Sequence, residues 1–116
     1  MQPWIMIQTG MVTGWEDKMN IREELGKRML FFDGGLGSLL QARGLKPGEL
    51  PETWNLSKPE ELLAIHKEYL EAGADIILAN TFGANRFKYD HLQEIVEAAV
   101  KNAKKAAEEC GRNAYV

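Results

Sequence analysis

Two short, nearly continuous apolar runs constrain this chain more than any other feature. They are Leu30-Phe31-Phe32, halted by Asp33-Gly34-Gly35, and Asp75-Ile76-Ile77-Leu78-Ala79, halted by Asn80. A strand that is apolar at successive positions is buried on both faces, which is the habit of parallel sheets rather than of sheets with one wet face. Parallel neighbours need a crossover between them, and the intervening sequence has helical period. Leu36, Leu39 and Leu40 mark one helix face, with Gly44 past its end. Leu62, Leu63, His66, Tyr69 and Leu70 mark another, closed by Gly73. Leu92, Ile95, Val96, Ala99, Val100, Ala103, Ala107 and Cys110 mark a long third, closed by Gly111. Ala114-Tyr115-Val116 then reads as the opening of a third strand.

Other signals refine this order. Asn20 is a helix-start residue, and Ile21, Leu25 and Met29 share one helix face after it. Residues 45–57 carry Pro47, Gly48 and Pro51 and read as a loop. Ser57-Lys58-Pro59-Glu60 has capping-box spacing with Pro in the first turn. The order is therefore α, β, α, loop, α, β, loop, α, β. The fold class is α/β, with right-handed connections. This spacing suits the opening β/α units of a (β/α)8 barrel of ~250 residues, truncated at the third strand. It equally suits the first half of a doubly wound sheet. In either, chemistry sits at the carboxyl ends of the strands.

The domain division places residues 1–18 apart from a partial domain at 19–116. The first segment holds two of the three Trp and three of the five Met, without a period. It reads as an extension, or else Trp4-Ile5-Met6-Ile7 forms a short strand or lid. It lacks a basic leader region, and no apolar run approaches the ~20 residues of a membrane span, so the expected compartment is the cytoplasm. A formal net charge of -3 without Lys/Arg clusters argues against nucleic acid as a partner. The one cysteine, Cys110, excludes an intrachain disulfide and a Cys-only zinc site.

Two strand ends carry the candidate chemistry. Asp33-Gly34-Gly35-Leu36-Gly37-Ser38 is a glycine-rich exit whose N–H groups can receive a carboxylate or phosphate. It does not match the dinucleotide-binding pattern. The plain alternative is a β–α turn with Asp33 capping the helix. Asn80-Thr81-Phe82-Gly83-Ala84-Asn85 points polar groups at the same face, or else Asn85 starts the next helix. His66 reads as a satisfied packing residue, His91 as solvated, and Cys110 as a small buried side chain. No catalytic triad, carboxylate pair or metal-ligand spacing is present.

The stretch from Leu30 to Glu49, then Pro51-Glu-Thr-Trp-Asn-Leu-Ser-Lys-Pro-Glu, then His66 with Tyr69-Leu-Glu-Ala-Gly-Ala-Asp-Ile-Ile, then Asn80-Thr-Phe-Gly-Ala-Asn form an ordered series. The series closely resembles the amino-terminal homocysteine-binding domain of cobalamin-dependent methionine synthases and, more widely, the homocysteine S-methyltransferase family. The resemblance covers about residues 29–116. It implies a (β/α)8 barrel in which zinc, held by three cysteine thiolates, binds the homocysteine sulfur as a thiolate nucleophile that takes a methyl group. A coordinated thiol is deprotonated at neutral pH. It further implies methylcobalamin as donor in the parent protein. By the same resemblance Asp33, Gly34 and Gly35 hold the amino-acid end of homocysteine, with Asn80, Thr81 and Phe82 at the second strand end. Trp54 either joins them or plugs the barrel rim.

The family's zinc cysteines fall in later strands, and Cys110 matches none of them. This chain is therefore expected to bind no cofactor itself, to hold homocysteine weakly and to be inactive alone, with no residue in a catalytic role. Two alternatives stand beside that reading. One is a non-catalytic β/α module that associates with itself or with the remainder of the barrel. The other is part of a different, phosphate-binding (β/α)8 enzyme.

Overall fold

The computed structural model describes residues 20–116. The readings for residues 1–18 lie outside the described residues. Five α-helices follow in order: α1 (Ile21–Glu24), α2 (Gly37–Ala42), α3 (Trp54–Ser57), α4 (Pro59–Glu71) and α5 (Leu92–Cys110), with a 3₁₀ turn at Pro51–Thr53 before α3.

The three expected strands meet side by side and parallel, but each contact is a single bridge, Phe32 with Ile76 and Ile76 with Tyr115. Regular three- to five-residue strands do not form among the described residues, which corrects the sequence expectation. Two aspartates supply the reason. Within the bridge, Ile76 N–H donates to Phe31 O and Asp33 N–H to Ile76 O. The next donors outward leave the ladder: Phe31 N–H goes to Asp75 Oδ2 at 3.0 Å and Leu78 N–H to Asp33 Oδ2 at 3.1 Å. A carboxylate accepts more strongly than a carbonyl, so each end of the pairing closes on a side chain.

Helices α4 and α5 pack on each other and on one face of this narrow sheet. Leu70, Ala74, Ile77, Ala103, Ala106, Ala107 and Ala114 form that core. A row of alanines on α5 lets the two helices approach closely. A second cluster joins Leu40 and Leu45 to Trp54, Leu62 and Ile65, and Tyr69 packs against both. The opposite sheet face carries Phe32 and Leu78, both more than half exposed. No described helix is long and apolar enough to cross a membrane.

Several local expectations change. Asn20 does cap α1, its side chain accepting from Arg22 N–H. The helix nevertheless stops at Glu24 instead of continuing to Met29, because Gly26 turns the chain at φ 83, and Leu25 and Met29 are left exposed. The capping box at Ser57 does not form. Ser57 Oγ donates to Thr53 O, and α4 starts from Lys58 with Pro59 at its first position. The 45–57 loop contains two helical turns. Asn85 does not start α5; its side chain accepts from Phe87 N–H inside the loop. Cys110 is only partly buried, against the first core cluster.

The α5 terminus is as expected. Gly111 sits at φ 67, in the left-handed region that costs an L-residue roughly 1–2 kcal/mol. Gly111→Ala should lower stability by about 1 kcal/mol, read as a shift in urea midpoint at unchanged slope.

Candidate functional site

The exit of the first strand is built around Asp33. Its Oδ2 accepts from Leu78 N–H, tying the two strand ends together. Its Oδ1 is buried and has no partner among the described residues. Desolvation pushes the carboxyl above its ordinary range, and the Leu78 N–H only partly offsets it. A buried acceptor without a donor costs free energy, so this oxygen is poised for a donor brought from outside. Asp33 does not cap α2, whose start at Leu36 has no side-chain cap.

The glycines beside it are fixed by Tyr69. The Tyr69 hydroxyl donates to Gly35 O at 2.6 Å, and its ring lies so close that a Cβ on Gly34 would meet the phenolic oxygen at 3.0 Å. Gly34 is thus favoured by close approach, since any Cβ would press the Tyr69 hydroxyl away, and the turn is held from α4. Sequence reasoning placed Tyr69 only on a helix face; nothing local signals a bond to a residue 34 positions away. A hollow of about 420 Å³ lies between residues 31–34 and Tyr69 with the Ala72-Gly73-Ala74 turn after α4; Thr81 and Phe82 do not line it. A larger hollow, about 590 Å³, lies at the amino end of the strands between Ile21, Ala107 and Tyr115, away from Asp33.

The second strand end divides. Asn80 is buried and its amide donates to Pro51 O at 3.1 Å and to Asn55 Oδ1 at 2.9 Å, while its carbonyl accepts from Asn55. Asn80 therefore pins the loop from beneath. Thr81 is half-buried and Phe82 fully exposed. Leu78, bonded to Asp33, carries the chain directly into Asn80-Thr81-Phe82, so the two exits share one edge of the sheet.

Trp54 stands apart from this edge. It is 1 % exposed in the second core cluster, its indole N–H donates to Glu49 Oε2 at 2.8 Å, and Lys58 Nζ lies 4.3 Å from the ring centroid. Its surroundings are those of a packing residue, not of a ligand contact.

One buried group was missed and another misjudged. Glu52 is 3 % exposed and bonds the loop after Asn80. His66 is buried as expected, but neither ring nitrogen has a partner among the described residues, so it is not the satisfied histidine the sequence suggested.

Among the described residues no group of three or more His, Cys, Asp or Glu could hold a metal ion. Zinc asks for about four such ligands, so these residues do not fit a zinc site, and no step here is derived through one.

A family profile described as homocysteine S-methyltransferase matches residues 30–116. Among curated proteins, the chain is 30% identical over 112 residues to the methionine synthase of Mycobacterium tuberculosis, covering 84% of this chain and 9% of that protein. It is 38% identical over 74 residues to the methionine synthase of Mycobacterium leprae, covering 57% of this chain and 6% of that one. The chain thus spans less than a tenth of the length of these relatives. Among solved structures it is similar to the oxidized form of the homocysteine methyltransferase MmuM from Escherichia coli. The TM-score is 0.64 and the identity 22%, over 83% of this chain and 38% of that one, a likeness of fold.

Proposed function

The chain belongs to the homocysteine S-methyltransferase family, and from that premise we propose that residues 19–116 form the opening β/α units of a (β/α)8 barrel that binds homocysteine for methyl transfer to its sulfur. The parallel order of the three segments joined by the two bridges and the fold likeness support the barrel reading. The unpartnered Asp33 Oδ1 is the observation that carries the ligand reading.

An amino acid offers an ammonium and a carboxylate a few ångströms apart. The ammonium of homocysteine donates to Asp33 Oδ1, giving the buried oxygen its missing partner. The cation also draws the carboxyl back down from its raised range, because an opposite charge nearby favours ionisation. The Gly34-Gly35 turn, free of Cβ atoms and held by Tyr69, lets backbone N–H groups approach the carboxylate. Thr81 and Phe82, at the neighbouring exit, flank the side chain. Asn80 supports this edge without touching ligand, and Trp54 serves the second core cluster. These contacts orient the amino acid; they do not activate its sulfur, and residues 20–116 alone are not expected to transfer a methyl group.

The test uses two Asp33 variants and two readouts. Homocysteine, titrated into the labelled chain by NMR, should bind with Kd ~1 mM or weaker, which is only about −4 kcal/mol. Asp33→Ala and Asp33→Asn should weaken it by about tenfold, the scale of a lost charged hydrogen bond. Unliganded stability should move the other way. A carboxyl raised in the folded state contributes stability that is present below its unfolded pKa and lost as pH rises through the folded value. Asp33→Asn keeps an acceptor for Leu78 N–H and stays neutral, so its Tm at pH 7 should equal or exceed that of the parent chain, the difference shrinking toward pH 4. Unchanged homocysteine binding in both variants would reduce Asp33 to a strand tie.

A further inference from the structure

Glu52 is a buried carboxylate on the 3₁₀ turn Pro51–Thr53, 3 % exposed, and its oxygens face a loop thirty residues further along the chain. Oε2 accepts from Gly83 N–H at 2.8 Å, and Oε1 accepts from the Tyr89 hydroxyl at 2.5 Å. No ion pair to Glu52 occurs among the described residues. The approach is close: a Cβ on Gly83 would lie 3.2 Å from both carboxylate oxygens. Tyr89 is itself buried, and burial with the facing Glu52 pushes its hydroxyl up to about 12, so it remains a donor at working pH. Within the same loop Asn85 Nδ2 donates to Gly83 O and Asn85 Oδ1 accepts from Phe87 N–H.

The consequence falls on Phe82. It is fully exposed, yet it sits between two fixed points. Asn80 on one side is pinned to Pro51 and Asn55, and Gly83 on the other is clamped to Glu52. Both anchors come from the same 51–55 stretch. A large aromatic ring held out in water forgoes the free energy of burying its apolar surface. A two-sided hold on such a ring has a use when a ligand covers it.

We propose that Glu52 is a positioning residue: through Gly83 and Tyr89 it holds the Thr81–Phe82 exit in the conformation that meets ligand beside Asp33. Its ligand half rests on the homocysteine reading; its clamp half does not. The clamp also favours glycine at position 83, since a Cβ there would press on both carboxylate oxygens and push them back by a few tenths of an ångström.

The experiment measures amide hydrogen exchange and homocysteine titration by NMR on the full 116-residue chain and on Glu52→Ala, Glu52→Gln and Tyr89→Phe. Glu52→Ala should speed exchange of the Gly83 amide about tenfold or more, the scale of a hydrogen bond to a charged acceptor, while the Ile77 amide in the core keeps its rate. Homocysteine Kd should rise severalfold in step. Glu52→Gln retains an oxygen for Gly83 and should restore both readouts to within about threefold of the parent. If Glu52→Ala does not fold, Tyr89→Phe removes one of the two bonds, keeps the ring, and should show the same pattern at about threefold. An unchanged Gly83 rate, or Gly83 and Ile77 accelerating together, overturns the clamp. A freed Gly83 with unchanged homocysteine Kd overturns the positioning role. If the parent chain shows no homocysteine response at all, the homocysteine reading falls, and the exchange rates still decide the clamp.

Discussion

Replacing Trp54 by alanine should cost about 3–5 kcal/mol, the range for emptying a large aromatic from a core. Trp54 is 1 % exposed, and its neighbours Leu40, Leu45, Leu62 and Ile65 come from three separate parts of the chain. These parts are α2, the loop after it, and α4, and Trp54 is the fully buried aromatic at their meeting point, with Tyr69 of α4 packing from the side. The indole also neutralises local polar demands. It donates to Glu49 Oε2, which with the Lys46 N–H holds the Glu49 carboxyl below its ordinary range, and its face takes the Lys58 ammonium. A domain of this size is stable by roughly 5–15 kcal/mol, so the loss is about a fifth or more of the total. The check is a urea titration: the midpoint of Trp54→Ala should fall by at least about a fifth, with Trp54→Phe between it and the parent. The same pair separates packing from ligand contact. Trp54→Phe keeps most of the ring volume, so homocysteine binding should stay near the parent value. A loss below about 1 kcal/mol for Trp54→Ala would contradict the packing role drawn from its burial.

What was legible in the sequence follows the range of the forces involved. Helices α4 and α5 were readable because their apolar period and the terminal Gly73 and Gly111 are local signals. The strands were readable as apolar runs but not in their length. That length is decided by Asp33 and Asp75, which take Leu78 and Phe31 N–H groups across 45 and 44 residues. An aspartate next to a glycine reads as a turn, and one before an apolar run reads as a strand start. Neither reading reveals that the side chain replaces a ladder carbonyl. The first helix failed for a local reason, since its i, i+4, i+8 pattern continues past Gly26, and pattern alone does not weigh a glycine heavily enough.

The site shows the same division. Asp33, Gly34 and Gly35 were legible as a group because they are contiguous. Tyr69, which fixes their geometry, was not, because its hydroxyl works at long range from a residue that also fits an apolar helix face. Glu52 was hidden for the opposite reason. Charged residues in a Pro-rich stretch ordinarily face solvent, and only the fold shows this one enclosed with Gly83 and Tyr89. Asn80 was assigned to ligand from its position past a strand, where its side chain instead serves Pro51 and Asn55. Pattern locates an exit edge; which polar groups remain available there depends on partners supplied by distant segments.

Acidification from pH 7.5 to pH 5 should remove about 2 kcal/mol of stability through His66 alone. The side chain is 1 % exposed on α4, and burial pushes its pKa down to about 4. In the unfolded chain a histidine titrates near 6.5. Between those values the unfolded state takes up a proton that the folded state refuses, so stability falls as pH drops from about 6.5, the total reaching about 3 kcal/mol near pH 4. Other groups act in a different window. Asp75, Glu24, Glu49 and Glu109 are lowered by their partners, so their contributions are present above the ordinary carboxylate range and lost only below it. Asp33 is raised and acts in the opposite sense. Above pH 5 the net slope is therefore the His66 loss less the opposing Asp33 contribution, and the His66→Leu comparison isolates the histidine part. With no partner for either nitrogen among the described residues, the imidazole brings desolvation without a compensating bond. His66→Leu, close in volume and without polar atoms, should flatten the slope and match or exceed the parent at pH 7.5. Urea midpoints of both proteins at pH 7.5 and pH 5 make the comparison. If the parent midpoint is the same at the two pH values, or if His66→Leu keeps the parent's slope, then the imidazole takes up its proton without opening the fold and its burial does not control the acid response.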